Sequence, residues 1–458
     1  MTTFRAGVAE VDITPPMGVE MWGYGPYEKR VCTEVLDPLA ARALWLEAGG
    51  TAVALITADL GSITQETRDA VARRLREATG LPAENLLVAA SHTHSGPATQ
   101  WVVGWGEVSP GYLKQLEDSL VEAALRARAS LEPARVGACC KRVGGVGVNR
   151  EQPELGPLDT AAQLLRVDRA DGKPLAVAFN FGAHAVVRYP YTSRISADWP
   201  GLAAAYLRTV FRGAVPLFLQ GCSGNINGHD MTFAREDPVT QQRVCDLRVG
   251  DVAKRFADQV LPALEALKTE PSASLGAIFT TVDLACEPPD PGELRQVLAD
   301  NRAVADRRTL ADLRPLHERL ATETEEERAW RVARFNVDWA AHQLKLLDEA
   351  PPAVKAPLQV LRVGGAAIVA WPGEIFVELG LEVRQRSPIR PTFVASFANG
   401  NVGYIPTEAA YESQGKPHEF GRYPTRITPH IYGRMPFRPE AGRILVEATL
   451  RLLERWDP

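Results

Sequence analysis

The feature that most constrains this chain is an alternation of two residue patterns. From the N-terminus to about residue 280, short β-like runs at Ala52–Thr57, Leu86–Ala90, Ala176–Phe181 and Val215–Leu219 alternate with amphipathic stretches. Those stretches, at Ile63–Ala78, Pro110–Ala129, Pro200–Val210 and Gln241–Leu267, carry helical spacing. The alternation predicts an α/β or α+β domain in which helices pack on sheets. Ala138–Val148 reads as antiparallel and edge-like, so the sheet is expected to be mixed.

A different pattern occupies residues 290–349, rich in Arg, Glu, Leu and Ala, with apolar positions at Leu294, Val297, Leu298, Leu310, Leu313, Leu316 and Leu320. Pro315 falls inside it and Pro351-Pro352 closes it. A helical hairpin inserted within one domain of residues 1–458 is predicted, either a solvated structural element or a lid. Beyond it come strand candidates at Leu358–Val363, Ala366–Trp371 and Thr392–Phe397, and helix candidates at Ile375–Gln385 and Glu440–Arg455.

Composition narrows the partners. A net charge of −5 over 458 residues leaves no basic footprint for nucleic acid. The longest apolar runs, such as Leu86–Ala90, fall far short of the ~20 residues a spanning helix needs. The first residues lack an apolar leader segment, so a cytoplasmic location is expected. Six cysteines without a C-x-x-C read as free thiols.

Chemistry concentrates where strand candidates end. Leu86–Ala90 runs into Ser91-His92-Thr93-His94-Ser95-Gly96-Pro97, and in extended geometry His92 and His94 share a face, suited to one metal or one substrate. His184 follows the strand candidate ending at Phe181. Glu374, in Pro372-Gly373-Glu374, is placed at a helix start, where a carboxylate is either an ordinary cap or a metal ligand. Tyr404 lies in a Gly- and Asn-rich turn able to present its hydroxyl inward. Asn149, Arg150, Asn227 and His229 lie in loops dense in Gly and Asn and are candidates for substrate contact. Gly221-Cys222-Ser223-Gly224 is one residue too short for a nucleophile elbow, which ranks a serine hydrolase below a metal hydrolase.

In order along the chain, these pieces resemble the catalytic domain of neutral (non-lysosomal) ceramidases. The resemblance is carried by Gly7–Pro15, Ala58-Asp59-Leu60-Gly61, Ser91–Pro97, Asn149-Arg150, His184, Gly224–Asn227, Pro372–Glu374 and Gly403–Tyr411, with the helical insert outside it. It implies sheets sandwiched between helices and one catalytic Zn2+ held by His92, His184, Glu374 and Tyr404. It also implies that His94 is a proton-transfer or substrate-orienting group, not a ligand, with Tyr404 contributing to catalysis as well. Ceramidases carry Gly-Asp-Val-Ser-Pro-Asn where this chain reads Gly224-Asn225-Ile226-Asn227-Gly228, so Asn227 replaces a serine and disfavours a covalent serine mechanism. A second tyrosine of the family falls near Gln414–His418, where Lys416 or His418 is the available replacement. The family's leader and C-terminal β-sandwich find no counterpart in the sequence, so the expected substrate is a small soluble amide. Ester or lactone hydrolysis at the same zinc, and a non-catalytic binding homologue, are the alternatives; a two-metal phosphoesterase ranks last for want of ligands.

Overall fold

A computed structural model describes residues 4–232, 237–349, 351–412 and 423–456. Its largest sheet has eight strands: β1 (Arg5–Asp12), β2 (Ala40–Ala48), β3 (Thr51–Ala58), β4 (Leu86–Ala90), β5 (Glu132–Arg142), β6 (Ala161–Arg169), β7 (Pro174–Phe181) and β8 (Val215–Gln220). They lie in the order β8-β7-β6-β5-β1-β2-β3-β4. A four-stranded sheet is built from β9 (Leu275–Ala285), β10 (Ala353–Val363), β11 (Ala366–Ala370) and β12 (Thr392–Ala395).

The strands' period of two explains the layering. In β3, Ala54 and Ile56 face a core shared with helices α1 (Gln65–Thr79) and α2 (Pro110–Ala129). Val53 and Leu55 point the other way, into a core shared with Leu361, Ile368 and Phe393 of the second sheet. Both faces are therefore buried, which is why the run lacks polar alternation. Helices α3 (Asp198–Val210) and α4 (Pro238–Ala266) complete the outer layer over β6–β8 through Trp199, Leu207, Val249 and Phe256. The far side of the second sheet is covered by a helix at Val377–Arg386 and another at Ala441–Glu454, through Val383, Leu445 and Leu450. The result is a mixed α/β fold of two sheets packed face to face between helical layers.

Between β9 and β10 the chain forms α5 (Pro291–Ala305), the short α6 (Leu316–Arg319) and α7 (Glu325–Glu349). Pro315 ends the extended segment just before α6, its fixed φ suiting a helix approach. No helix among the described residues is long and apolar enough to cross a membrane. The six cysteines form no disulfide.

Three strand pairs in these sheets run parallel: β3 with β4, β7 with β8, and β11 with β12. Their carboxyl ends point to one region. The loops leaving them are Asp59–Gly61, Ser91–Ser95, Gly182–His184, Gly221–Asn227, Trp371–Glu374 and Ser396–Asn399. Carboxyl ends of parallel strands leave backbone free to build sites, the general reason ligands collect there in α/β folds.

Candidate metal centre

These loops are stitched to one another and to their neighbours through backbone. His92 N–H donates to Leu60, His94 N–H to Ala185, His184 N–H to Ile226, Gly224 N–H to Ile375 and Glu374 N–H to Gly403. Each chemical residue thus takes its position from a neighbouring loop rather than from its own.

The strand does not stay extended through the His-Thr-His. His92 has φ +63°, in the left-handed region, and its ring stacks on Phe397 with centroids 3.8 Å apart. The expectation that both histidines face one side by strand alternation is therefore corrected: a turn at His92 brings them together. Their Nε2 atoms lie 3.1 Å apart. The ring nitrogens of His92, His94 and His184 form a buried group within 4.8 Å of one another, able to hold a metal ion.

The outer nitrogens separate these three side chains. His92 Nδ1 lies 2.7 Å from the Gly61 carbonyl and His184 Nδ1 2.8 Å from the Ile226 carbonyl. A carbonyl can only accept, so both rings carry their proton on Nδ1 and aim the Nε2 lone pair at the centre. His94 Nδ1 has no hydrogen-bond partner among the described residues. Its ring packs instead on Trp22 and Tyr24, centroids 4.9 Å away in each case.

Glu374 lies in a short strand, Glu374–Ile375, paired parallel with Tyr404–Ile405, and the following helix begins only at Val377. The expected placement at a helix start is thus corrected: the carboxylate sits in a strand, three residues before the helix begins. Its Oε2 lies 3.3 Å from His184 Nε2 and 3.7 Å from His92 Nε2. Its Oε1 accepts a short hydrogen bond from the Tyr432 hydroxyl. Burial pushes the carboxyl upward, but the His184 hydrogen bond and the charges of His92 and His184 outweigh that and hold it at about 2. Burial drives His92 down to about 3, with Glu374 opposing, and drives His94 and His184 down as well. At neutral pH the centre is therefore neutral imidazoles around one carboxylate, the protonation state that a divalent cation requires.

Tyr404 is buried in the strand paired with that of Glu374, and Arg150 Nη2 donates to its hydroxyl at 2.6 Å. Arg150 also donates to Asn227 Oδ1 at 3.3 Å and to the Gly224 carbonyl. Arg150, Asn227, His94, His184, Glu374 and Tyr404 all line one cavity of 580 Å³.

Two expected substrate contacts do not reach it. The buried Asn149 amide accepts from the Glu151 and Gln152 N–H groups and donates to the Pro157 carbonyl, so it shapes the turn that follows. His229 is half-exposed and paired with Asp230 at 3.0 Å. Lys416 and His418 lie outside the described residues.

Residues 4–220 match the profile of the neutral/alkaline non-lysosomal ceramidase N-terminal family. A neutral ceramidase of Mycobacterium tuberculosis is 24% identical, over 88% of this chain and 72% of that protein.

The chain is similar to the neutral ceramidases.

Further along the same line, a neutral ceramidase of Pseudomonas aeruginosa is 23% identical over 90% of this chain and 68% of its own length. The crystal structure of neutral ceramidase from that organism superposes with a TM-score of 0.72 at 19% identity, covering 99% of this chain and 75% of that one. The ceramidase-like fold thus extends over the second sheet and the loops bearing Glu374 and Tyr404, beyond the profile match. The sequence analysis does not single out Tyr432, which bonds Glu374, or Tyr423, which packs on Tyr404. Tyr423 opens a helical turn and Tyr432 follows the helix Thr428–Ile431, and single aromatics there carry no spacing signal of a site.

Proposed function

We propose that this protein is a zinc-dependent hydrolase of carboxamide bonds. The observation that carries the reading is the convergence of two imidazole Nε2 lone pairs, each oriented by a backbone carbonyl, with the ionised Glu374 at the floor of a cavity. The likeness to neutral ceramidases supports amide hydrolysis as the reaction class.

His92, His184, Glu374 and Tyr404 are the residues that would hold the ion. When bound, zinc supplies a Lewis acid and lowers the pKa of water towards about 7. The protein's own residues supply the rest. His94 has one nitrogen facing the centre and the other held by no carbonyl, so it can change tautomer and carry a proton to the leaving amine. Arg150 and the Tyr404 hydroxyl it contacts present donors to the carbonyl oxygen as charge develops there. Asn227 contributes an amide and no nucleophile, which favours water as the attacking group.

The test is elemental analysis of the untagged protein beside His184→Ala and Glu374→Ala, followed by turnover of small N-acyl amines, esters and lactones. About one zinc per chain, lost in both variants, with amide turnover, is the expected result. A zinc-replete, well-folded protein without stoichiometric metal would sink the reading. Turnover restricted to esters or lactones would move it to the neighbouring reaction class.

A further inference from the structure

The cavity above the metal centre is apolar apart from its floor. Pro26, Trp105, Val186, Phe335, Ile427 and Ile431 contribute to its wall. Phe335 is the single contribution of the helical segment 291–349 to that lining. It is 8% exposed and sits in the same buried apolar cluster as Trp105 and Ile431, which also line the cavity.

The helix holds this ring from both sides. Arg331, Phe335 and Trp339 recur at intervals of four on one face of α7. Arg331 donates to the Pro26 carbonyl at 2.9 Å and pairs with Glu28 at 3.2 Å and Glu323 at 2.8 Å. Arg319 joins the same buried cluster through Glu28 at 2.9 Å. Trp339 stacks on His430 with centroids 3.9 Å apart, next to the Ile431 that lines the cavity. The loop carrying Pro26, the ring of Phe335 and the helix Thr428–Ile431 are thus fixed as one wall.

We propose that Phe335 is the specificity-determining residue of the site: it ends the cavity and sets the length of the apolar acyl chain that the carboxamide substrate can carry. The proposal rests on the hydrolase reading above. A ring held by an ion cluster at one side and a stacked indole at the other does not give way, so a chain that overruns it must leave methylenes outside or displace the wall. Each methylene lost from an apolar pocket costs roughly ten-fold or more in kcat/KM.

The experiment uses the zinc-supplied full chain and a straight-chain series of N-acyl p-nitroanilides from acetyl to palmitoyl. Calorimetric binding of the matching straight-chain carboxylic acids is measured in parallel, which needs no turnover. Phe335→Ala is expected to move the longest accepted chain upward, raising kcat/KM just past the wild-type limit roughly ten-fold or more. Phe335→Trp is expected to move it downward, and the acids to follow the same limits. Phe335→Leu, which keeps an apolar side chain on α7, should shift the limit upward less than Ala and guards against misfolding. An unchanged limit in all three variants overturns the proposal, as does absence of both hydrolysis and acid binding at every length. Acid binding whose limit moves with residue 335, without any amide turnover, upholds the wall and refutes the hydrolase reading alone.

Discussion

His92 Nε2 lies 3.1 Å from His94 Nε2, yet only the outer nitrogen of His92 is tied to a backbone carbonyl. Neighbours in sequence and in space, the two rings are held in unlike ways, which points to unlike work. Replacing His92 by Ala should abolish zinc binding. Replacing His94 by Ala should leave about one zinc per chain while lowering kcat by roughly 10²–10⁴. Metal analysis and amide kinetics on the same preparations check this, and loss of zinc in His94→Ala would make that residue a ligand.

Tyr432 should matter without touching substrate. Its hydroxyl is the donor to Glu374 Oε1, and groups that orient a metal-binding carboxylate typically govern metal affinity by 10- to 100-fold. Tyr432→Phe is expected to weaken zinc binding by roughly that factor, measured by competition with a chelator, with little change in kcat at saturating zinc. Unaltered zinc affinity would make the hydrogen bond incidental.

Removing one member of the buried cluster that ties α7 to the cavity rim should be costly. Arg331→Met leaves Glu28 and Glu323 buried with less positive charge beside them, a change expected to destabilise by about 3–5 kcal/mol. Urea denaturation gives the magnitude, and limited proteolysis should cut first within residues 291–349. A variant as stable as the parent would show that the cluster is dispensable.

Stability of the metal-free protein should depend on pH in a definite direction. Burial lowers His92 to about 3 and His430 to about 4, and lowers His94 and His184, from an ordinary value of 6.5. Unfolded chains take up protons at these histidines below about pH 6.5, whereas the folded chain refuses them. Their contribution to stability is therefore complete above that pH and declines as the pH falls towards 4, by up to about 1.4 kcal/mol per pH unit for each histidine. Urea denaturation at pH 7 and pH 5 measures the slope, and His430→Gln should flatten it by one histidine's share. Equal stability at both pH values would contradict burial as the cause.

Much of the architecture was legible in the residues themselves. The helix Pro110–Ala129 and the strand Leu86–Ala90 fall where the sequence places them, because Ser109 and Pro110 mark a helix start and an apolar run is bounded by polar turn residues. Other elements differ by a few residues at their ends, as with Gln65–Thr79 against the expected Ile63–Ala78, where Thr64 acts as the cap. Glu374 departs from the expected helix start for a physical reason: its two-residue strand is held by Tyr404–Ile405, a partner thirty residues away that no local pattern reveals.

The sequence by itself determined which chemistry was available. His92, His94, His184, Glu374, Arg150 and Tyr404 stand beside apolar strands or in Gly-rich turns, and local composition is enough to set strand and turn. The tertiary structure alone decided how that chemistry is arranged. Parallel pairing points three pairs of strand ends at one place, and a left-handed residue at His92 turns two imidazoles together. It turned the Asn149 amide into a loop and brought Tyr432 and Phe335 to the cavity. Side-chain direction and long-range pairing arise from packing between segments far apart in the chain, which is why they could be found only in the folded molecule.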